Sequence, residues 1–188
     1  MNIVFDCDGI ILDFSNGFCD YYEAKNYTQK YGSISRQPKT WNFDFTGDPK
    51  IFPSIIKEFI DTRPSLSFIP GFDPTILKIL KTKYPIYIVS HYHDDIGRFE
   101  NLSTLGIQKG IHYDELYCMP TRKEKINKIK ELKPRYYIED SPDIVNTLIA
   151  ADFEKTIFVP SYEYCNSVKD DTSVKRYAEP KELLTYIP

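Results

Sequence analysis

The chain has 188 residues, with 24 Lys plus Arg against 27 Asp plus Glu and a formal net charge of -3. A hydrophobic fraction of 41% and a charged fraction of 27% describe one ordinary domain with room for a modest insertion. The missing basic excess argues against an extended nucleic-acid footprint, which needs clustered Lys and Arg, though not against one phosphate in a pocket.

No run approaches the roughly 18 apolar residues of a membrane span, so no membrane partner is expected. The opening residues Met1–Asp8 place acids where a secretory leader needs an apolar stretch. Cys7, Cys19, Cys118 and Cys165 are widely spaced without a CxxC pair. A cytoplasmic chain with free thiols is therefore expected rather than a disulfide frame or zinc site. Twelve Phe, fifteen Tyr and one Trp make 15% of the residues. That excess suits either an AT-rich coding bias or an aromatic-lined pocket, and where the rings cluster decides between them.

The first predicted strand is Asn2–Phe5, a short apolar run ending abruptly in Asp6. Residues 13–68 then break the pattern. They hold a helix near Phe18–Lys25, a polar middle at Asn26–Lys39 and a second helix at Ser54–Asp61, with turns at Asp48-Pro49 and Phe52-Pro53. After them a helix over Pro74–Lys83 leads to a strand at Pro85–Val89 and another at Glu115–Met119. A helix at Glu124–Leu132, a strand at Arg135–Ile138, a helix at Asp143–Ala151 and a strand at Lys155–Val159 follow. The tail carries a short helix at Pro180–Tyr186, with Pro at a favourable first position. Strand alternating with helix predicts an α/β fold: a doubly wound, Rossmann-like parallel sheet of five strands. The core is residues 1–12 and 69–188, and residues 13–68 form a small helical cap inserted after the first strand.

In open parallel sheets ligands collect at the carboxyl ends of strands. Asp6, Cys7, Asp8 and Gly9 follow the first strand, and Ser90 and His91 follow the second. Arg122-Lys123-Glu124-Lys125 opens the helix before the fourth strand, and Glu139, Asp140, Ser141 and then Asp143 come after that strand. Asp6, Asp8, Glu139 and Asp140 would crowd one crevice with negative charge, which calls for a neutralising cation. Oxygen-only ligands favour a hard ion, and Mg²⁺ held by carboxylates plus a substrate phosphate is the usual solution. A Lys and a Ser hydroxyl supply donors to phosphate oxygens, and Gly9 lets the chain turn so that amides face the same anion. Two Asp separated by one residue divide the labour, Asp6 as nucleophile and Asp8 as general acid and base. Singly, each feature has an ordinary reading as a turn, a loop residue or a helix cap. Their conjunction, each at a strand end or helix start, carries the expectation.

The order Asp, Ser, Lys, acid pair resembles the haloacid dehalogenase (HAD) superfamily of phosphotransferases. "IVFDCDGIILDF" is similar to its first motif, "IYIVS" to its second, the basic helix start to its third and "YYIEDSPD" to its fourth. The resemblance implies attack by Asp6 to give an aspartyl phosphate, with Asp8 as acid/base and Ser90 and a Lys on the phosphate. It also implies Mg²⁺ on Asp6, the carbonyl of Asp8 and Asp140, with Glu139 as a second metal-side carboxylate and Asp143 sharing that role or capping a helix. Lys123 and Lys125 both begin the helix; spacing to Ile126 favours Lys123. His91 is a candidate phosphate contact, although His91 and His93 also suit the start of the next helix.

"DCDGIILDFSNGF", a Trp in the insertion and "FIPGF" are similar to the 5'(3')-deoxyribonucleotidase branch. There, lid rings sandwich the base, which implies Phe14, Phe18 and Trp41 as substrate contacts. The expected activity is phosphate release from a nucleoside monophosphate. A sugar phosphate or a polynucleotide end would serve the same core. A non-catalytic phosphate binder or a phosphoreceiver module is the reading from another class. In a receiver, however, the Lys follows the acids, and there is no place for the insertion. Oligomeric state is open between monomer and homodimer.

Overall fold

Short runs of Val, Ile, Tyr and Phe have no polar face to expose, so they form strands buried on both sides. A computed structural model describes residues 1–188. Its strands are β1 (Ile3–Phe5), β2 (Ile86–Ser90), β3 (Glu115–Cys118), β4 (Tyr136–Ile138), β5 (Thr156–Pro160) and β6 (Val174–Tyr177). All neighbours pair in parallel, in the order β3-β2-β1-β4-β5-β6. Phe5 is in register with Ile88 on one side and Ile138 on the other.

The sheet therefore has six strands rather than the expected five. β6 escapes a search for apolar runs because it is an edge strand of sequence VKRY, with Lys175 and Arg176 exposed. Charged side chains on an edge discourage further pairing and erase the hydrophobic signature.

The helices are α1 (Phe14–Ala24), α2 (Tyr27–Tyr31), α3 (Phe52–Asp61), α4 (Thr75–Lys81), α5 (Asp95–Thr104), α6 (Arg122–Leu132), α7 (Pro142–Ile149) and α8 (Leu183–Tyr186). α1 starts four residues before the expected Phe18, because the Asp13 carboxylate caps it by accepting from the Asn16 amide at 3.0 Å. α2 lies in the stretch read as polar. α5 is masked by Gly97 and a weak apolar stripe. Helices α6 and α7 cover one face of the sheet, where Val4, Val89, Tyr137 and Ile157 meet Ile129, Val145 and Leu148. On the other face Ile3, Phe5, Ile86 and Ile88 pack with Ile76, Leu80, Leu102 and Leu183.

The insertion joins that second core. Phe18, Tyr22 and Phe59 belong to the same continuous cluster as Phe5 and Ile88. Its two connections are tied together where the Asp13 amide donates to the Ser67 carbonyl at 2.8 Å and the Ile69 amide to Ile11 at 3.0 Å. Strand order reverses between β1 and β4, opening a crevice beyond their carboxyl ends where such sheets bind ligands. No helix is long and apolar enough to cross a membrane.

Candidate active site

Asp6 leaves β1 and Glu139-Asp140 leave β4, so adjacent strands deliver three acids to the reversal point. Their carboxylates each place an oxygen within 4.8 Å of the others, and all three residues are buried. One cation faces them. Lys125 Nζ lies 2.7 Å from Asp6 Oδ2 and 2.8 Å from Glu139 Oε2. Burial, followed by repulsion from Glu139, pushes the Asp6 and Asp140 carboxyls well above the usual range. Burial acts on Glu139 as well, but Lys125 and hydrogen bonding with Asp6, Lys125 and Tyr137 hold its carboxyl low.

The scaffold around these groups is specific. The Tyr137 phenol donates to Glu139 Oε2, and the Ser141 amide donates to Oε1 at 2.9 Å. The Tyr164 hydroxyl, from the 3₁₀ turn Glu163–Ser167 after β5, donates to Asp140 Oδ2 at 2.7 Å. Asp140 Oδ1 is buried without a partner. Gly9 has φ 73, and a Cβ there would stand 1.9 Å from Asp140 Oδ2. An orphaned carboxylate oxygen in an oxygen-only, net-negative cluster fits a hard divalent cation such as Mg²⁺.

Asp8, two residues on, has a different partner. Its Oδ2 lies 2.7 Å from Nη2 of Arg98, a residue of α5 that is only 1% exposed. The Arg98 guanidinium stands over the Tyr92 ring at 4.0 Å, and the Tyr92 hydroxyl donates to the Ile60 carbonyl of α3 at 3.3 Å. Ser90 is fully buried, its hydroxyl 3.5 Å from Asp8 Oδ2; it stands behind the cavity wall.

A cavity of 690 Å³ opens over these groups between the crevice and the insertion. Asp6, Asp8, Gly9, Lys125 and Asp140 form its floor, His91 and Arg122 stand at one side, and Phe14, Trp41, Phe43 and Phe52 come from the insertion. Trp41 is edge-on to Tyr164 with ring centroids 5.5 Å apart. The His91 imidazole is held below its ordinary value by desolvation and then by Lys125. His93 bonds Asp61 of α3 at 2.8 Å, while the cap of α5 is Asp94, which accepts from Gly97.

Three expected site residues are displaced, Ser90 behind the cavity wall rather than on the phosphate among them. Lys123 is exposed and Lys125 is the lysine in the crevice. The inward stripe of α6 runs through Lys125 and Ile129, one turn apart, and Lys123 points elsewhere on the helix. Phe18 is fully buried among Phe14, Tyr22, Phe43, Phe52 and Phe59, so it packs inside the core the insertion shares with the sheet rather than contacting substrate. Asp143 pairs with Arg122 at 2.6 Å at the surface. Arg98, Tyr137 and Tyr164 are not among the site residues expected from the sequence. An Arg inside a helical pattern and a Tyr two residues before an acid pair are the only signals the sequence offers.

No protein-family model matches this chain, and no curated protein does. Solved structures do match. The fold is that of HAD-type hydrolases. A predicted phosphoglycolate phosphatase from Haemophilus somnus 129pt aligns at 12% identity and TM-score 0.64, covering 100% of this chain and 97% of that one. A HAD family hydrolase from Deinococcus radiodurans R1, solved with bound phosphate and sodium, aligns at 13% identity and TM-score 0.62, covering 99% and 94%. A Thermotoga maritima protein assigned as a β-phosphoglucomutase aligns at 17% identity and TM-score 0.59, covering 100% and 98%. At these identities the HAD fold is shared, and the alignment does not extend to a substrate or a nucleotidase branch.

Proposed function

We propose that this chain is a Mg²⁺-dependent phosphomonoesterase whose nucleophile is Asp6. The observation that carries the reading is the convergence of Asp6, Glu139, Asp140 and Lys125 on the floor of a cavity that also admits Asp8. Asp6 and Asp140, with the carbonyl of Asp8, would hold the cation; Glu139 already has both oxygens engaged and supports the set from behind. When bound, the cation offsets the charge of the carboxylates and of the phosphate.

The chain's own groups do the rest. An Asp6 oxygen forms a bond to phosphorus as the ester P–O bond breaks, and Asp8 gives its proton to the leaving oxygen. Water then attacks the aspartyl phosphate, Asp8 takes a proton from it, and Asp6 is released. Lys125 and the turn at Gly9 face the transferred phosphoryl group, with His91 at the rim. Residues 13–68 act as the cap that shapes the rest of the substrate.

That shape favours a nucleoside monophosphate. A volume of 690 Å³ is mid-range for cavities that enclose drug-sized ligands, and Phe14 and Trp41 place aromatic rings in its wall for a base. A sugar phosphate is the second reading, favoured by the polar Thr40, Asn42 and Lys57 in the same wall and by the β-phosphoglucomutase assignment of the matching Thermotoga maritima protein. Phosphate release should be measured over nucleoside monophosphates, sugar phosphates and phosphorylated polynucleotide ends. Trp41→Ala is expected to raise KM for nucleotides by about tenfold, within the roughly 1–3 kcal/mol of one base-stacking contact. Faster turnover of sugar phosphates than of every nucleotide would overturn the nucleotide reading and leave the phosphatase reading standing.

A further inference from the structure

The crevice contains a second buried cation that the steps above leave unused. Arg98 is 1% exposed, and a guanidinium out of water needs a charged partner. Its carboxylate partner is Asp8, through Nη2 and Oδ2 at 2.7 Å. The mount is stiff. The helix start bearing Arg98 is capped by Asp94, which is itself clasped by Arg63 Nε at 2.6 Å. The flat face of the guanidinium rests on Tyr92, whose hydroxyl is bonded to the insertion at Ile60. Asp8 Oδ1, by contrast, is buried without a hydrogen-bond partner.

We propose that Arg98 is a positioning residue for Asp8. It engages Oδ2 and fixes the rotation of the carboxylate that handles the proton. The inference rests on the phosphatase reading. As the ester bond breaks, its electron pair goes to the leaving oxygen, which takes the Asp8 proton; in the second half the Asp8 carboxylate accepts one proton of the attacking water. A carboxylate free to rotate would present either oxygen at a range of angles and lose the alignment on which transfer depends.

The test exploits leaving groups. An alkyl ester such as a nucleoside 5'-monophosphate needs a proton on its departing alkoxide, whereas p-nitrophenolate departs without one. Arg98→Met and Arg98→Lys are compared with the unaltered chain in thermal melts, steady-state turnover of the alkyl ester and the pre-steady-state burst of p-nitrophenolate. Arg98→Met should lower kcat on the alkyl ester by about a hundredfold, the low end of acid–base contributions. Its burst rate should fall by less than about tenfold, and Arg98→Lys should lie between Arg98→Met and the unaltered chain. If the methionine variant melts too low to assay, the lysine variant carries the comparison. Equal losses on both esters, or no loss on the alkyl ester, would overturn the role while the phosphatase reading stands. An unaltered chain that releases phosphate from neither ester overturns both.

Discussion

Asp6 and Asp8 are two residues apart, leave the same strand and line the same cavity, yet their electrostatic settings are opposite. Around Asp6 three buried acids share one lysine, so full ionisation would leave a net negative charge, and Asp140 keeps an unpartnered oxygen. Around Asp8 one acid meets one arginine, and the pair is balanced. The unbalanced cluster suits a cation. The balanced pair is built to hold one carboxylate still. Proximity in sequence does not set the environment of a side chain; the element packed against it does.

The contrast breaks first at the proposed nucleophile. Asp6→Asn should lower phosphate release by at least about a thousandfold, as removal of a nucleophile does in other covalent mechanisms. The variant should still fold, because one buried negative charge has left a cluster with an excess of them. Activity near that of the unaltered chain would exclude Asp6 from the covalent step.

Asp8→Ala should behave in the opposite way toward stability. It strands Arg98 in the interior without its counter-ion, at a cost of about 3 kcal/mol, the low end for a broken buried pair because the Asp8 side chain is 17% exposed. Urea unfolding reads that difference directly. A loss under about 1 kcal/mol would mean that Arg98 reaches water or another acid.

The smallest effects sharpen the metal side. Mg²⁺ at a hundred times its Kd should stabilise the protein by about 2.7 kcal/mol, and Asp140→Asn should lose most of that shift. Without metal, the folded pKa of Asp140 is raised, so its ionised form is penalised in the folded state only. The penalty is absent below the ordinary carboxylate range near 4 and grows as pH rises toward the raised value. Metal-free Asp140→Asn should therefore gain on the unaltered protein as pH increases above about 4, and Mg²⁺ should reverse that gap. Melting curves across pH, with and without Mg²⁺, check both signs; a gap that shrinks with pH contradicts them.

Much of the crevice is legible in the linear chain because acids at strand ends leave a local mark. An apolar run that stops at Asp6 or at Glu139 announces both the strand and the direction of its final side chain, and Gly9 announces a turn. The choice between Lys123 and Lys125 is not local, since it depends on which side of α6 meets the sheet. Phe14, Phe18 and Trp41 are likewise alike in sequence, and only packing separates a cavity wall from the inside of the core.

Composition and pattern thus determined the class of fold, the position of the insertion and the acids that gather at the switch point. Folding decided the sixth strand, the lysine, the role of each ring, and the partners Arg98 and Tyr164. The reason is physical. Strand periodicity and strand-end chemistry are properties of neighbouring residues, whereas charge balance and burial depend on residues brought together from far apart in the chain, as Arg98 is brought to Asp8 across ninety positions.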